Sequence, residues 1–284
     1  MYVIEHEWRG LSRSDTFRLV PIGDVHAGSR ACDEAKFAAI VQSVKRDPRA
    51  YWIGLGDYCE FINVSDVRHD VQATADWITK ADLVDISKAQ RDWFLEHVRP
   101  IADKCLGLVE GNHERTIRRK YERDVYREIV ATVKGWGGKR ADERLGLGVY
   151  GWLLLRFKRN GGQQQPSAVV RVNVHHGFVA GRLAGAKALN MQRWLWTHNA
   201  DLVIFGHCHE MQAQRAAVEE LDFRGNVRLH LRRGMYAGSF VKTVAEGPAV
   251  YTEERGYFPS PTGCPEAILR PGAKSYEDRV AIVC

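Results

Sequence analysis

Short apolar runs recur along the chain, and each gives way to the same kind of polar residue. FRLVPI leads into Asp24 and His26, and YWIG into Asp57. CLGLV leads into Asn112 and His113, VVRVNV into His175 and His176, and DLVIF into His207 and His209. Runs this short and continuous fit strands buried in a sheet. The polar group then falls at the strand's carboxyl end, which in α/β sheets faces the crevice where ligands sit.

Helical periodicity fills the gaps in the first half. ACDEAKFAAIVQSVKRDP reads as a helix ended by Asp47-Pro48, and Leu83 to Ile101 as an amphipathic helix with Pro100 near its end. TIRRKYERDVYREIVATVKGW reads as one charged helix stopped by the glycines of GWGGK, and a polar insert spans about 60–80. The second half changes character. WLLLRFKRN and AVVRVNVHH flank GGQQQPS, a hairpin-like linker. A small-residue loop after His176 becomes helical around Ala188 to Trp196. QAQRAAVEELDFRGNVRLHLRRGMYAGSF reads as a hairpin turning at Arg224-Gly225-Asn226. An irregular tail from about 241 closes on RVAIVC. Strand–helix units followed by strand-rich units predict two sheets packed face to face with helices outside, in one domain over 1–284.

Composition narrows the setting. The 284 residues are 45% apolar, enough for a core. WLLLRF is far short of a membrane span, and MYVIEHEWRG lacks the apolar stretch of a secretory signal. Six cysteines without CxxC pairing read as reduced thiols, so a cytoplasmic protein is expected. Forty-one basic against 35 acidic residues leave a net charge of +6, a surplus that fits either a polyanionic partner or an ordinary solvated surface.

Imidazole and carboxylate donors together suit Mn, Fe, Zn, Co or Ni rather than calcium. The blocks run in the order Asp24-x-His26, Gly56-Asp57, Gly111-Asn112-His113-Glu114, His176 and Gly206-His207-x-His209. In that order they resemble the calcineurin-like metallophosphoesterase superfamily. The resemblance implies an α/β fold, a four-layer αββα sandwich of two mixed sheets whose halves meet where metals bind. It implies two divalent cations, with Mn expected first and Fe, Zn or Ni open. One cation takes Asp24, His26, Asp57 and His209. The other takes Asp57, Asn112, His176 and His207, with Asp57 shared. It also gives His113 the role of general acid, or of donor to a phosphate oxygen. Glu114 is expected to accept from the other His113 ring nitrogen and fix its tautomer.

Other positions are less determined. Strand alternation sets His175 opposite His176, and the resemblance, in which the ligand His precedes a glycine, implies His176 as the ligand. Cys208 is expected to point away from its flanking histidines. Arg182 and Lys187 are expected to bind substrate phosphate by charge-assisted hydrogen bonds. The loop that carries them, with RGYFPSPTGCPE, resembles a subgroup of phage and bacterial mobile-element proteins. The basic positions Arg115, Arg118, Arg119, Lys120, Arg123 and Arg127 read as a solvated helix face or as a phosphate-tracking stripe. Trp194, Trp196 and Tyr257 read as core packing, with base stacking as the alternative. The expected activity is metal-dependent hydrolysis of phosphate esters, preferentially phosphodiesters of DNA, RNA or nucleotides. A phosphomonoesterase or protein phosphatase, and a non-catalytic scaffold of the same fold, are the alternatives. No membrane partner is expected, and the oligomeric state is open.

Overall fold

The structure is a computed structural model, and it describes residues 2–137, 144–159, 168–178, 183–221, 223–244, 256 and 258–284. Strands β2 (Phe17–Ile22), β3 (Ala50–Gly54), β4 (Cys105–Val109) and β5 (Gly146–Gly148) pair in parallel. The antiparallel strands β11 (Glu266–Leu269) and β12 (Val280–Val283) extend that sheet beyond β2. The second sheet runs from β1 (Tyr2–Leu11) through β6 (Tyr150–Arg159), β7 (Ala168–His175) and β8 (Leu202–Phe205). It continues with β10 (Val227–Ala237) and ends on β9 (Met211–Leu221).

Alternation along the strands divides the core, except in β4, where a register shift against β3 sets Leu106 and Leu108 on opposite faces. Val20, Ile22, Trp52 and Leu108 face outward from the first sheet. There they meet Phe37 and Val41 of α1 (Glu34–Arg46), Phe94 and Val98 of α2 (Ile86–Val98), and Ile129 and Val133 of α4 (Val125–Trp136). Leu19, Ile53, Leu55, Leu106 and Val109 face inward, against Ile4, Leu153, Leu155, Phe157, Val172 and Ile204 of the second sheet. On the far side, Met191 and Leu195 of α5 (Ala184–Thr197) cover Val203, Phe205 and Tyr236. The layers are therefore helix, sheet, sheet, helix, as expected. Phe157 is fully buried between the sheets, and truncating it to Ala would cost about 3–5 kcal/mol.

Several local readings change. Tyr2–Leu11, considered in the sequence only for its lack of an apolar leader, forms the edge strand β1, parallel to β6. His6 is buried there and donates from Nε2 to the Leu106 carbonyl at 2.7 Å. The single charged helix is two: α3 (Asn112–Tyr121) ends at Glu122, whose φ is 53°, and α4 starts beyond Asp124. The Asp124 carboxylate caps α4 by accepting from the Arg127 N–H at 2.9 Å, a break that the dense charge pattern concealed. In the tail, β11 was not anticipated, whereas β12 falls on the expected RVAIVC run. β9 and β10 pair antiparallel around the expected turn. β6 and β7 also pair antiparallel, and the linker expected between them lies outside the described residues. No described helix is long and apolar enough to cross a membrane.

Candidate metal centre

The carboxyl ends of β2, β3, β4, β7 and β8 converge, and the residues just beyond them form one cluster. Their backbone is unusual. Asp24, His26, Asp57, His207 and His209 have φ of 49°, 50°, 49°, 67° and 54°. That left-handed conformation costs non-glycine residues on the order of 1–3 kcal/mol each. It lets Asp24 and His26, two apart in sequence, reach the same cluster. Gly28, with φ of 93°, shares in that redirection. Hydrogen bonds hold the turns: Asp24 N donates to Gly56 O at 2.9 Å, and Val25 N and His26 N donate to Asp57 O at 3.0 and 3.1 Å. Gly111 is required by contact, because a Cβ there would lie 2.2 Å from both Asp57 N and Asp57 Oδ1.

Three sets of donor atoms each lie within 4.8 Å of one another: Asp24, His26 and His209; Asp57, His176 and His207; and His26, Glu60 and His113. Asp57 Oδ2, in the second set, also approaches the first, 4.0 Å from His26 Nε2 and 3.3 Å from His176 Nε2. Asp24 Oδ1 is 3.3 Å from His209 Nε2, and Asn112 Oδ1 is 2.8 Å from His176 Nε2. Asp24 and Asp57 are almost entirely buried.

The donor chemistry fits a cation. His176 Nδ1 donates to Leu55 O at 2.7 Å, so the lone pair on Nε2 converges with Asn112 Oδ1 and Asp57 Oδ2. Three acceptors at such distances require a proton or a metal between them. His26 Nδ1 likewise donates to the Glu60 carboxylate at 2.8 Å. Its Nε2 and Asp24 Oδ1 are buried with no hydrogen-bond partner among the described residues. Burial pushes the Asp57 carboxyl upward, but His176 and His113 overcome that and hold it well below the usual range. Burial opposes the charged form of His176 too, and the Asp57 carboxylate nevertheless raises its imidazole. A divalent cation would take the place of that proton.

Glu60 is the residue that the sequence missed, since it looked like the first position of the polar insert. Its carboxylate holds His26, and its backbone carbonyl accepts from His113 Nδ1. His26 draws the Glu60 carboxyl down to about 2 against the effect of burial. The expected pairing of Glu114 with His113 is corrected accordingly. Glu114 is fully buried and accepts from Asp57 N at 3.0 Å, Tyr58 N at 2.8 Å and Gly111 N at 2.9 Å. It fastens the loop after β3 to the first turn of α3. As the third residue of that helix it reaches back to the N-cap amide, which makes a carboxylate the natural occupant.

The VHHG pair separates as alternation requires. His176 enters the cluster. His175 packs among Tyr150, Phe178, Trp194 and Phe205, and burial pulls its imidazole down to about 4. Cys208 packs against the apolar layer under α5. Lys187 is corrected as a phosphate ligand: it is 4% exposed, and its ammonium is engaged by Glu210. Trp194 packs against the same apolar layer as Cys208, whereas Trp196 is exposed. Arg182 and Tyr257 lie outside the described residues.

Three solved structures are similar to this chain over most of its length. A metallophosphoesterase from Sphaerobacter thermophilus aligns at 14% identity over 95% of this chain and 88% of its own, with a TM-score of 0.38. Vps29 from Entamoeba histolytica, complexed with Zn, aligns at 13% identity over 94% and 90%, with a TM-score of 0.39. The nuclease MPE of Pseudomonas putida aligns at 13% identity over 93% and 87%, with a TM-score of 0.29. No curated protein matches the chain in sequence. The calcineurin-like phosphoesterase family model matches residues 17–211, the span that carries every block of the cluster. The chain belongs to the calcineurin-like phosphoesterase family.

Proposed function

We propose that the chain hydrolyses phosphodiesters, in nucleic acid or nucleotides, at a pair of divalent cations. The observation that carries this reading is the approach of Asp57 Oδ2, in one donor set, to His26 of the other, which contains buried atoms without hydrogen bonds among the described residues. Asp24, His26, Asp57 and His209 would hold one cation, and Asp57, Asn112, His176 and His207 the other. A bound metal pair supplies hydroxide near neutral pH and neutralises charge on the phosphoryl group.

The protein's own groups do the rest. Asp57, Asn112 and the histidines fix the donor geometry. His113 donates from Nδ1 to the Glu60 carbonyl, which leaves Nε2 to protonate the leaving oxygen or to bond a phosphate oxygen. Glu114 keeps the Asp57 loop and the start of α3 in register. The surplus of basic residues supports a polyanionic substrate, and the N/O donor set supports Mn as the first cation to try.

The test is turnover of bis-p-nitrophenyl phosphate, p-nitrophenyl phosphate and single-stranded DNA by the Mn²⁺-loaded protein. Diester turnover that is lost in Asp57→Asn together with metal, and lost in His113→Ala with metal retained, supports the reading. Turnover of the monoester alone overturns the diester preference. Full metal loading without turnover of any ester favours a scaffold.

A further inference from the structure

Helix α3 carries four basic side chains, Arg115, Arg118, Arg119 and Lys120. Arg118 meets Glu110 at 3.0 Å, Lys120 meets Asp66 at 3.2 Å, and Arg119 is exposed to water. Arg115 differs from all three. It is only half-buried as a residue, yet its Nε is withdrawn from solvent and has no hydrogen-bond partner among the described residues. Nor does any described carboxylate lie within ion-pair distance of it.

Two physical costs follow. A guanidinium Nε withdrawn from water without an acceptor forfeits a hydrogen bond that it would otherwise make. A cation in the first turn of a helix also faces the positive end of the helix dipole, where anions are favoured. An anion beside Arg115 relieves both.

Its position says where that anion would lie. Arg115 is three residues after Asn112, so the two side chains neighbour each other on one face of α3. Asn112 Oδ1 contacts His176 Nε2, so this face looks onto the metal cluster. The core face belongs to Glu114 and Ile117, which are buried, and the face toward the insert belongs to Lys120 with Asp66.

We propose that Arg115 binds a non-bridging oxygen of the substrate's phosphoryl group beside the metal centre. The proposal rests on the function proposed above and adds a residue to it. A guanidinium can grip two phosphate oxygens at once, which an ammonium cannot. Arg115 therefore takes the role that Lys187, buried against Glu210, does not fill.

The experiment compares wild type, Arg115→Gln and Arg115→Lys as full-length, Mn²⁺-loaded proteins. Metal content, thermal melting, inorganic phosphate binding by calorimetry, and kcat and KM on bis-p-nitrophenyl phosphate are measured. Expected for Arg115→Gln is unchanged metal content and an unchanged or higher melting temperature. Phosphate binding weakens about tenfold or more, equivalent to about 1.4 kcal/mol, and KM rises. Arg115→Lys keeps the charge and the aliphatic packing, guards against a folding defect, and falls between the two. Phosphate affinity and KM within about twofold of wild type in both variants overturn the proposal. So does a wild type that binds no phosphate, or an Arg115→Gln that melts lower with phosphate binding intact. A wild type that binds phosphate but turns over no ester overturns the hydrolase reading instead, and the calorimetric comparison still decides the role of Arg115.

Discussion

The Glu60 carboxylate accepts the Nδ1 proton of His26 at 2.8 Å, which turns His26 Nε2 toward Asp57 and Asp24. Partners of this kind orient a metal-binding imidazole and raise its basicity. Glu60→Ala removes that contact and leaves the backbone carbonyl that serves His113. Mn²⁺ affinity measured by calorimetry should fall by about 10- to 100-fold, with the fold retained. An unchanged affinity would show that His26 needs no such support.

The adjacent histidines at the end of β7 should separate in function. His176→Ala removes a donor next to Asp57 and should strip metal and activity together. His175→Ala should keep its metal and lose stability, because the ring packs against Tyr150, Trp194 and Phe205. Metal content by mass spectrometry alongside thermal melting distinguishes them. Loss of metal from the His175 variant would reverse the assignment.

Lys187→Met should act on stability, with little effect on catalysis. Removing the ammonium leaves the Glu210 carboxylate without its partner and should cost about 1–3 kcal/mol in denaturant unfolding. KM should stay within about twofold of wild type. A large rise in KM with unchanged stability would restore Lys187 as a substrate contact.

The polar insert should be held to α3 in a pH-dependent way. Asp66 accepts from Arg68 and Lys120, and the Arg68 hydrogen bond, more than any other influence, holds its carboxyl well below the usual range. A carboxyl lowered in the folded state stabilises above its unfolded value of about 4, and that contribution fades as pH falls toward the folded value. Asp66→Asn should therefore be less stable than wild type at pH 7, with the difference closing on acidification. A difference independent of pH would contradict the ion-pair account.

Much of this was legible because strands and ligands share one signal. A continuous apolar run names a buried strand, and the Asp, Asn or His that ends it names the cleft. Asp24, Asp57, Asn112, His176 and His207 all came into view that way. Glu60 gave no such signal, since it stands three residues beyond Asp57 in a segment with no periodicity, and only the fold brings it to His26 and His113. Glu114 was legible as important, but two of its three partners are amides from a distant loop, which side-chain patterns do not encode. The left-handed backbone at Asp24 and His26 was hidden as well, because nothing in an Asp or His side chain announces a positive φ. The break at Glu122 was masked by charges that suit one long helix as well as two short ones.

The central claim is that Asp57 is shared by two cations, and locating bound metal tests it most directly. Anomalous diffraction from Mn²⁺-soaked crystals should show two ions per chain about 3.5–4 Å apart, with the Asp57 carboxylate between them. One ion confined to His26, Glu60 and His113, or none within reach of Asp57, would contradict the account.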